Sequence, residues 1–195
     1  NKVRPSRSSY LITSGTMFSC IGVSTCRFPL NIHVKQSYKP VICKIQGPVL
    51  AGALLIVSNS THAIAVDEAT FPAPEIHRGL WPFMVMAGLF RIMPKRAGLD
   101  FIMRGKPIDS KKAQEWGLIN ESVKKEELNQ KVDKLANELA SLAPETMQFG
   151  LEAYEKQDSQ DFNDALPYLK EQIAKCFEGK DANCLLYTSP SPRDS

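Results

Sequence analysis

A chain of 195 residues, 43% apolar and 23% charged, has the make-up of one globular domain with a sizeable core, which excludes a fibrous or low-complexity protein. Its net charge of +3 is too small to argue for nucleic acid. Its longest apolar run, 49–57, is far short of the roughly 20 residues that cross a bilayer, so no membrane partner is expected either.

Residues 1–38 differ in character from the rest. Before Asp67 there is no acid, while Lys2, Arg4, Arg7, Arg27, Lys35, Lys39 and Lys44 give +7, leaving −4 for the remainder. Ser, Thr and Arg without acids resemble an organellar transit peptide, but no clear amphipathic period runs through the segment. Translated non-coding or misjoined sequence is the alternative, and 1–38 is expected to be disordered or not native. The cysteines (Cys20, Cys26, Cys43, Cys176, Cys184) are odd in number and show no C-x-x-C spacing. Neither a disulfide framework nor a zinc site is indicated, and the expected setting is reducing and intracellular, cytoplasmic or mitochondrial matrix.

Lys39-Pro40-Val41-Ile42-Cys43-Lys44-Ile45-Gln46-Gly47 predicts a short strand rich in β-branched residues, ending at glycine. Residues 48–57 predict a turn into a buried helix with bare backbone at Gly52. Free N–H groups at such a helix start can point at a developing oxyanion; close packing of helix on sheet explains the glycine equally well. His62-Ala63-Ile64-Ala65-Val66 predicts a second strand, with a turn at Asp67-Glu68.

The most informative stretch is Phe71-Pro72-Ala73-Pro74-Glu75-Ile76-His77-Arg78-Gly79-Leu80-Trp81-Pro82-Phe83. Two prolines hold the backbone before Glu75 in an extended or turning path. Beside Leu80, Trp81 and Phe83, that carboxylate can sit in a partly dry pocket suited to moving protons; the alternative is a surface loop acid. Pro82 suits the first position of a helix over 83–92. Leu80, Trp81, Phe83 and Met84 read either as pocket wall or as plain core. His77 has no Ser or Cys partner and reads as structural, and neither His33 nor His62 has ligand spacing, so no metal is expected.

Pro94 precedes a helix over 95–103, with Gly105 as its cap. Asp109 or Ser110 caps a short helix through Trp116, ended by Gly117, and 118–123 is extended. A helix over 126–142 carries Leu128, Val132, Leu135, Leu139 and Leu142 on one face. Pro144 opens the next, to about Lys156. A last helix bears Phe162, Leu166, Leu169, Ile173 and Phe177, with Pro167 expected to kink it or mark its true start. The Lys111-Lys112 and Lys124-Lys125 pairs read as solvated faces.

In order and spacing, the K-P-V-I strand, the glycine turn onto a helix, the second strand and the F-x-x-P-E run of Phe71 to Glu75 resemble the crotonase (enoyl-CoA hydratase/isomerase) superfamily. The likeness extends through Met103-Arg104-Gly105-Lys106-Pro107-Ile108 and Ala113-Gln114-Glu115-Trp116-Gly117-Leu118-Ile119, over roughly 39–177. It implies an α/β fold: a crotonase-like spiral of ββα units with a helical C-terminal region, the N-terminal part of the fold missing. Residues 39–143 would form a partial core and 144–183 truncated C-terminal helices. Residues 184–195 resemble a translated transposase sequencing adapter, an artefact tail.

The resemblance also implies a function. Members bind an acyl-CoA thioester, polarise its carbonyl between two donors and move protons with carboxylates; coenzyme A belongs to the substrate and no separate cofactor is implied. Gly52 falls at the second oxyanion donor and Glu75 at the acid/base glutamate, with Leu55, Pro74, Leu80, Trp81 and Phe83 as substrate contacts. Leu55 stands where hydratases carry another glutamate, so a one-glutamate reaction such as double-bond isomerisation fits better than hydration. The loop supplying the first donor is not found, and one such donor is worth about 3–4 kcal/mol, so the chain alone is expected to be inactive and its bare sheet edge poorly soluble. The parent is expected to be a homotrimer or a dimer of trimers. A non-catalytic fragment serving assembly is the alternative.

Overall fold

The computed structural model describes the backbone of residues 10–14 and 18–20 and the whole of residues 38–50 and 52–179. His33 and the tail from residue 184 lie outside the described residues.

Runs of Val, Ile and Ala that are apolar at nearly every position favour strands buried on both faces. Two such runs form the centre: β3 (Val41–Ile45) and β4 (His62–Val66). They pair in parallel, Ile42 opposite His62 and Ile45 opposite Ala65. Outside them lie β1 (Tyr10–Ser14), parallel to β3, then β2 (Phe18–Cys20), antiparallel to β1. On the other side β7 (Glu121–Val123) runs parallel to β4, giving the order β2-β1-β3-β4-β7. β5 (Thr70–Phe71) and β6 (Ile108–Asp109) make a separate antiparallel pair.

β1 and β2 both fall within residues 1–38. An unpaired outer edge on β3 would leave a row of backbone donors and acceptors without partners, and β1 covers that edge.

The α-helices among the described residues are α1 (Gly52–Asn59), α2 (Phe83–Ile92), α3 (Lys95–Arg104), α4 (Ser110–Glu115), α5 (Leu128–Ala140), α6 (Pro144–Gln157) and α7 (Phe162–Glu178). Local chemistry ends several of them. Asp109 accepts from the Lys112 N–H at 2.7 Å at the start of α4, and Gly105 closes α3 at φ +58°. Pro82 stands at the N-cap of α2, one place earlier than expected. Pro167 lies inside α7, which begins at Phe162; the missing N–H costs one bond near the start, where nearby turns hold the helix on.

The core gathers Ile42, Ile45, Leu54, Val66, Phe71, Leu89, Phe101, Ile102 and Leu128, all almost fully buried. α5 lies on β3 and β4. No helix among the described residues is long and apolar enough to cross a membrane.

Candidate active site at the carboxyl edge of the sheet

β3 and β4 are parallel neighbours, so the segments that follow them leave from the same edge. That edge is where open α/β sheets build their sites. β3 leads to the start of α1 at Gly52, and β4 leads through β5 to a 3₁₀ turn over Pro74–Arg78 that carries Glu75. The two exits are tied together: the Val49 N–H donates to the Thr70 carbonyl at 2.8 Å.

Gly52 is the first residue of α1, so its N–H has no carbonyl of its own helix to bond. A Cβ built there meets nothing within 4 Å. Among the described residues, close packing therefore does not require this glycine, and the space on its Cβ side is open.

Pro74 begins the 3₁₀ turn, and Gly79 ends it in the left-handed region at φ +71°. The Glu75 carbonyl accepts from the Leu80 N–H at 3.0 Å. From the far side comes Gly105, where an added Cβ would stand 2.6 Å from Ile76 Cγ2 and 2.8 Å from His77 Nε2. The end of α3 thus braces the turn, and only glycine fits both the conformation and the approach. Within this frame Glu75 is half-buried, and its Oε2 is shut from solvent with no hydrogen-bond partner among the described residues. Buried polar atoms are nearly always paired, so an orphan carboxylate oxygen marks a place where a reacting group can bond.

The expected substrate contacts divide. Leu55 is buried in the seam between α1 and α2: its Cδ1 lies 3.0 Å from a Cβ built on Gly88, beside Ser58. Trp81 is half-buried and donates Nε1–H to Met86 Sδ at 3.3 Å. Leu80, Phe83 and Met84 are exposed by 61%, 68% and 67%. The reading of these three as core is thereby corrected: α2 buries Val85, Gly88 and Leu89 and turns Phe83 and Met84 outward, and Leu80 is exposed in the stretch before it. They form an apolar margin beside the Glu75 turn, a feature that marks contact surfaces.

His77 is exposed. His62 bonds Thr61 Oγ1 through Nδ1 at 3.0 Å, and burial lowers its pKa. No group of His, Cys, Asp and Glu among the described residues could hold a metal ion. Lys112 pairs with Glu115 and lies over the Trp116 ring. Two cavities of about 280 and 310 Å³ sit at the opposite, amino edge, between α6 and residues 38–40, and neither touches Gly52 or Glu75.

Sequence reading missed the bracing role of Gly105 and the close approach at Gly88. The signal for Gly88 was present, since a lone glycine inside a helical pattern often marks close packing.

The sequence pattern of the enoyl-CoA hydratase/isomerase family matches residues 23–182. The chain belongs to that family. Over 141 residues it is 28% identical to the human mitochondrial enoyl-CoA hydratase domain-containing protein 3, covering 72% of this chain and 46% of that one. A short-chain-enoyl-CoA hydratase of Clostridium acetobutylicum is 28% identical over 144 residues, covering 73% and 55%. The crystal structure of human enoyl-CoA hydratase domain-containing protein 3 superimposes with a TM-score of 0.75 at 24% identity, covering 83% of this chain and 66% of that one. The crotonase fold is thus shared, and the chain spans about half the length of the first curated relatives it matches.

Proposed function

We propose that this chain carries the reacting part of an acyl-CoA hydratase/isomerase, with Glu75 as its acid/base and the Gly52 N–H as an oxyanion donor. The observation that carries the reading is the orphan Oε2 of Glu75, on the edge where α1 opens. In a double-bond shift, the thioester oxygen accepts from the Gly52 N–H while the Glu75 carboxylate takes a proton from the α carbon. The dienolate that forms is reprotonated at the γ carbon from the same carboxyl, so no atom is gained or lost. Hydration adds water across the double bond and gains from a second carboxylate to steer it. Leu55, packed against α2, supplies none, which favours isomerisation. Coenzyme A enters as part of the substrate, and no other cofactor is called for. A homotrimeric parent, or a dimer of trimers, and a mitochondrial or cytoplasmic setting complete the reading; the human relative is a mitochondrial protein.

The test uses crotonyl-CoA and a 3-enoyl-CoA with the chain, with any longer protein that contains it, and with Glu75→Gln in each. Ligand should raise the unfolding temperature, as binding to the folded state must. Glu75→Gln should keep that rise and lose turnover by about 10²–10⁴-fold. Glu75→Gln turning over as fast as the unaltered protein refutes the reading.

An assembly role without catalysis is favoured by a different observation, the exposed stripe of Phe162, Leu166, Ile173 and Phe177 on α7. Equal unfolding temperatures with and without thioester, and no turnover in the longer protein, would support that role instead.

A further inference from the structure

Ser110 is completely buried, and it is polar. Its Oγ lies 2.7 Å from the Val66 carbonyl and 3.1 Å from the Ala69 carbonyl, so one hydroxyl proton serves both ends of the turn that leaves β4. The turn is otherwise closed by the Ala69 N–H donating to Val66 at 3.0 Å and the Asp67 N–H donating to Val123 at 2.8 Å. Immediately after it, Thr70 pairs with Asp109, the residue before Ser110. The Thr70 carbonyl also accepts the Val49 N–H, three residues ahead of Gly52. Five residues beyond Thr70 stands Glu75, reached through Phe71 and Ala73, both fully buried.

We infer that Ser110 is a positioning residue: its hydroxyl sets the β4–β5 turn, and through Thr70 holds the α1 entrance and the Glu75 turn in register with each other. The inference rests on the assignment of Gly52 and Glu75 to the reaction. Without the hydroxyl the Ala69 carbonyl loses this donor and the Val66 carbonyl keeps the Ala69 N–H; a buried acceptor left short is costly, and a turn that shifts to recover a donor passes its movement to both reacting groups. A displacement of about 1 Å at such groups can cost 10²-fold in rate. A side chain that touches no substrate can thereby govern kcat.

Ser110→Ala and Ser110→Thr on the full chain test this, read by amide hydrogen exchange and by turnover of a 3-enoyl-CoA. In Ser110→Ala, exchange at the Val49 and Ala69 amides should rise about tenfold or more as that region opens locally, while the Ile42 to Ile45 amides keep their rates. Where turnover is measured, kcat should fall with KM nearly constant, and Ser110→Thr should restore both readouts. Unchanged exchange at Val49, or an equal rise throughout the sheet, overturns the inference, since the hydroxyl would then be irrelevant or merely stabilising. A fully active Glu75→Gln removes the functional reading and this one with it. An inactive Glu75→Gln beside a Ser110→Ala of normal kcat overturns the role of Ser110 alone.

Discussion

β3, α1 and β4 bury almost every apolar side chain they carry, whereas α6 and α7, two longer helices, bury one alanine each, Ala153 and Ala165. α6 and α7 pack on each other, and α6 meets the amino edge of the sheet across cavities of about 280 and 310 Å³. The exposed pair Arg91–Asp158, at 3.2 Å, spans the same junction, but such pairs contribute little. Both regions are helical or stranded where their sequences call for it. Among the described residues only the first buries its apolar side chains, so forming an element and docking it are separate events with separate energies.

The largest expected effects lie in the packed region. Leu54 is fully buried, and Leu54→Ala should destabilise by about 2–5 kcal/mol in urea unfolding. Ile173→Ala, on the 59% exposed stripe of α7, should change monomer stability by no more than about 0.5 kcal/mol. Comparable losses at both sites would erase the contrast.

Two glycines sharpen it further. A Cβ at Gly88 would stand 2.1 Å from Ser58 Oγ and 3.1 Å from Ser58 Cβ, so Gly88→Ala should cost about 1–3 kcal/mol through overpacking. Gly52 faces open space, and Gly52→Ala should leave stability within about 0.5 kcal/mol while slowing turnover, because the new methyl group enters the space proposed for the thioester. A Gly52→Ala protein that unfolds early but reacts normally would return the glycine to a packing role.

The smallest effect is a pH slope. Burial lowers the His62 pKa, so between that lowered value and the ordinary one, about 6.5, the unfolded chain binds more protons than the folded one. Stability is complete above this window, declines as pH falls through it, and levels off below it. His62→Gln should flatten the slope in unfolding curves taken across the window. A slope unchanged by the substitution would trace it to other groups.

Much of the local structure is legible in the sequence, since it depends on neighbours a few residues away. The β-branched run around Ile42, the prolines before Glu75, the caps at Asp109 and Gly105 and the leucine period of α5 each act within a turn or two. The bracing of the Glu75 turn depends instead on how its Ile76 and His77 meet a helix ending at Gly105, and no local pattern carries that distance. The outward course of Phe83 and Met84 was likewise set when α2 gave its Val85 and Leu89 face to the core, because apolar residues on both sides of a helix leave its rotation open until a partner fixes it. Sequence alone determined the central strands β3 and β4 and the helices that follow them, and that a proline-braced acid follows β4. Tertiary structure decided which of their side chains are dry, which are bare and which carboxylate oxygen lacks a donor, since burial is a property of surfaces brought together and not of any one segment.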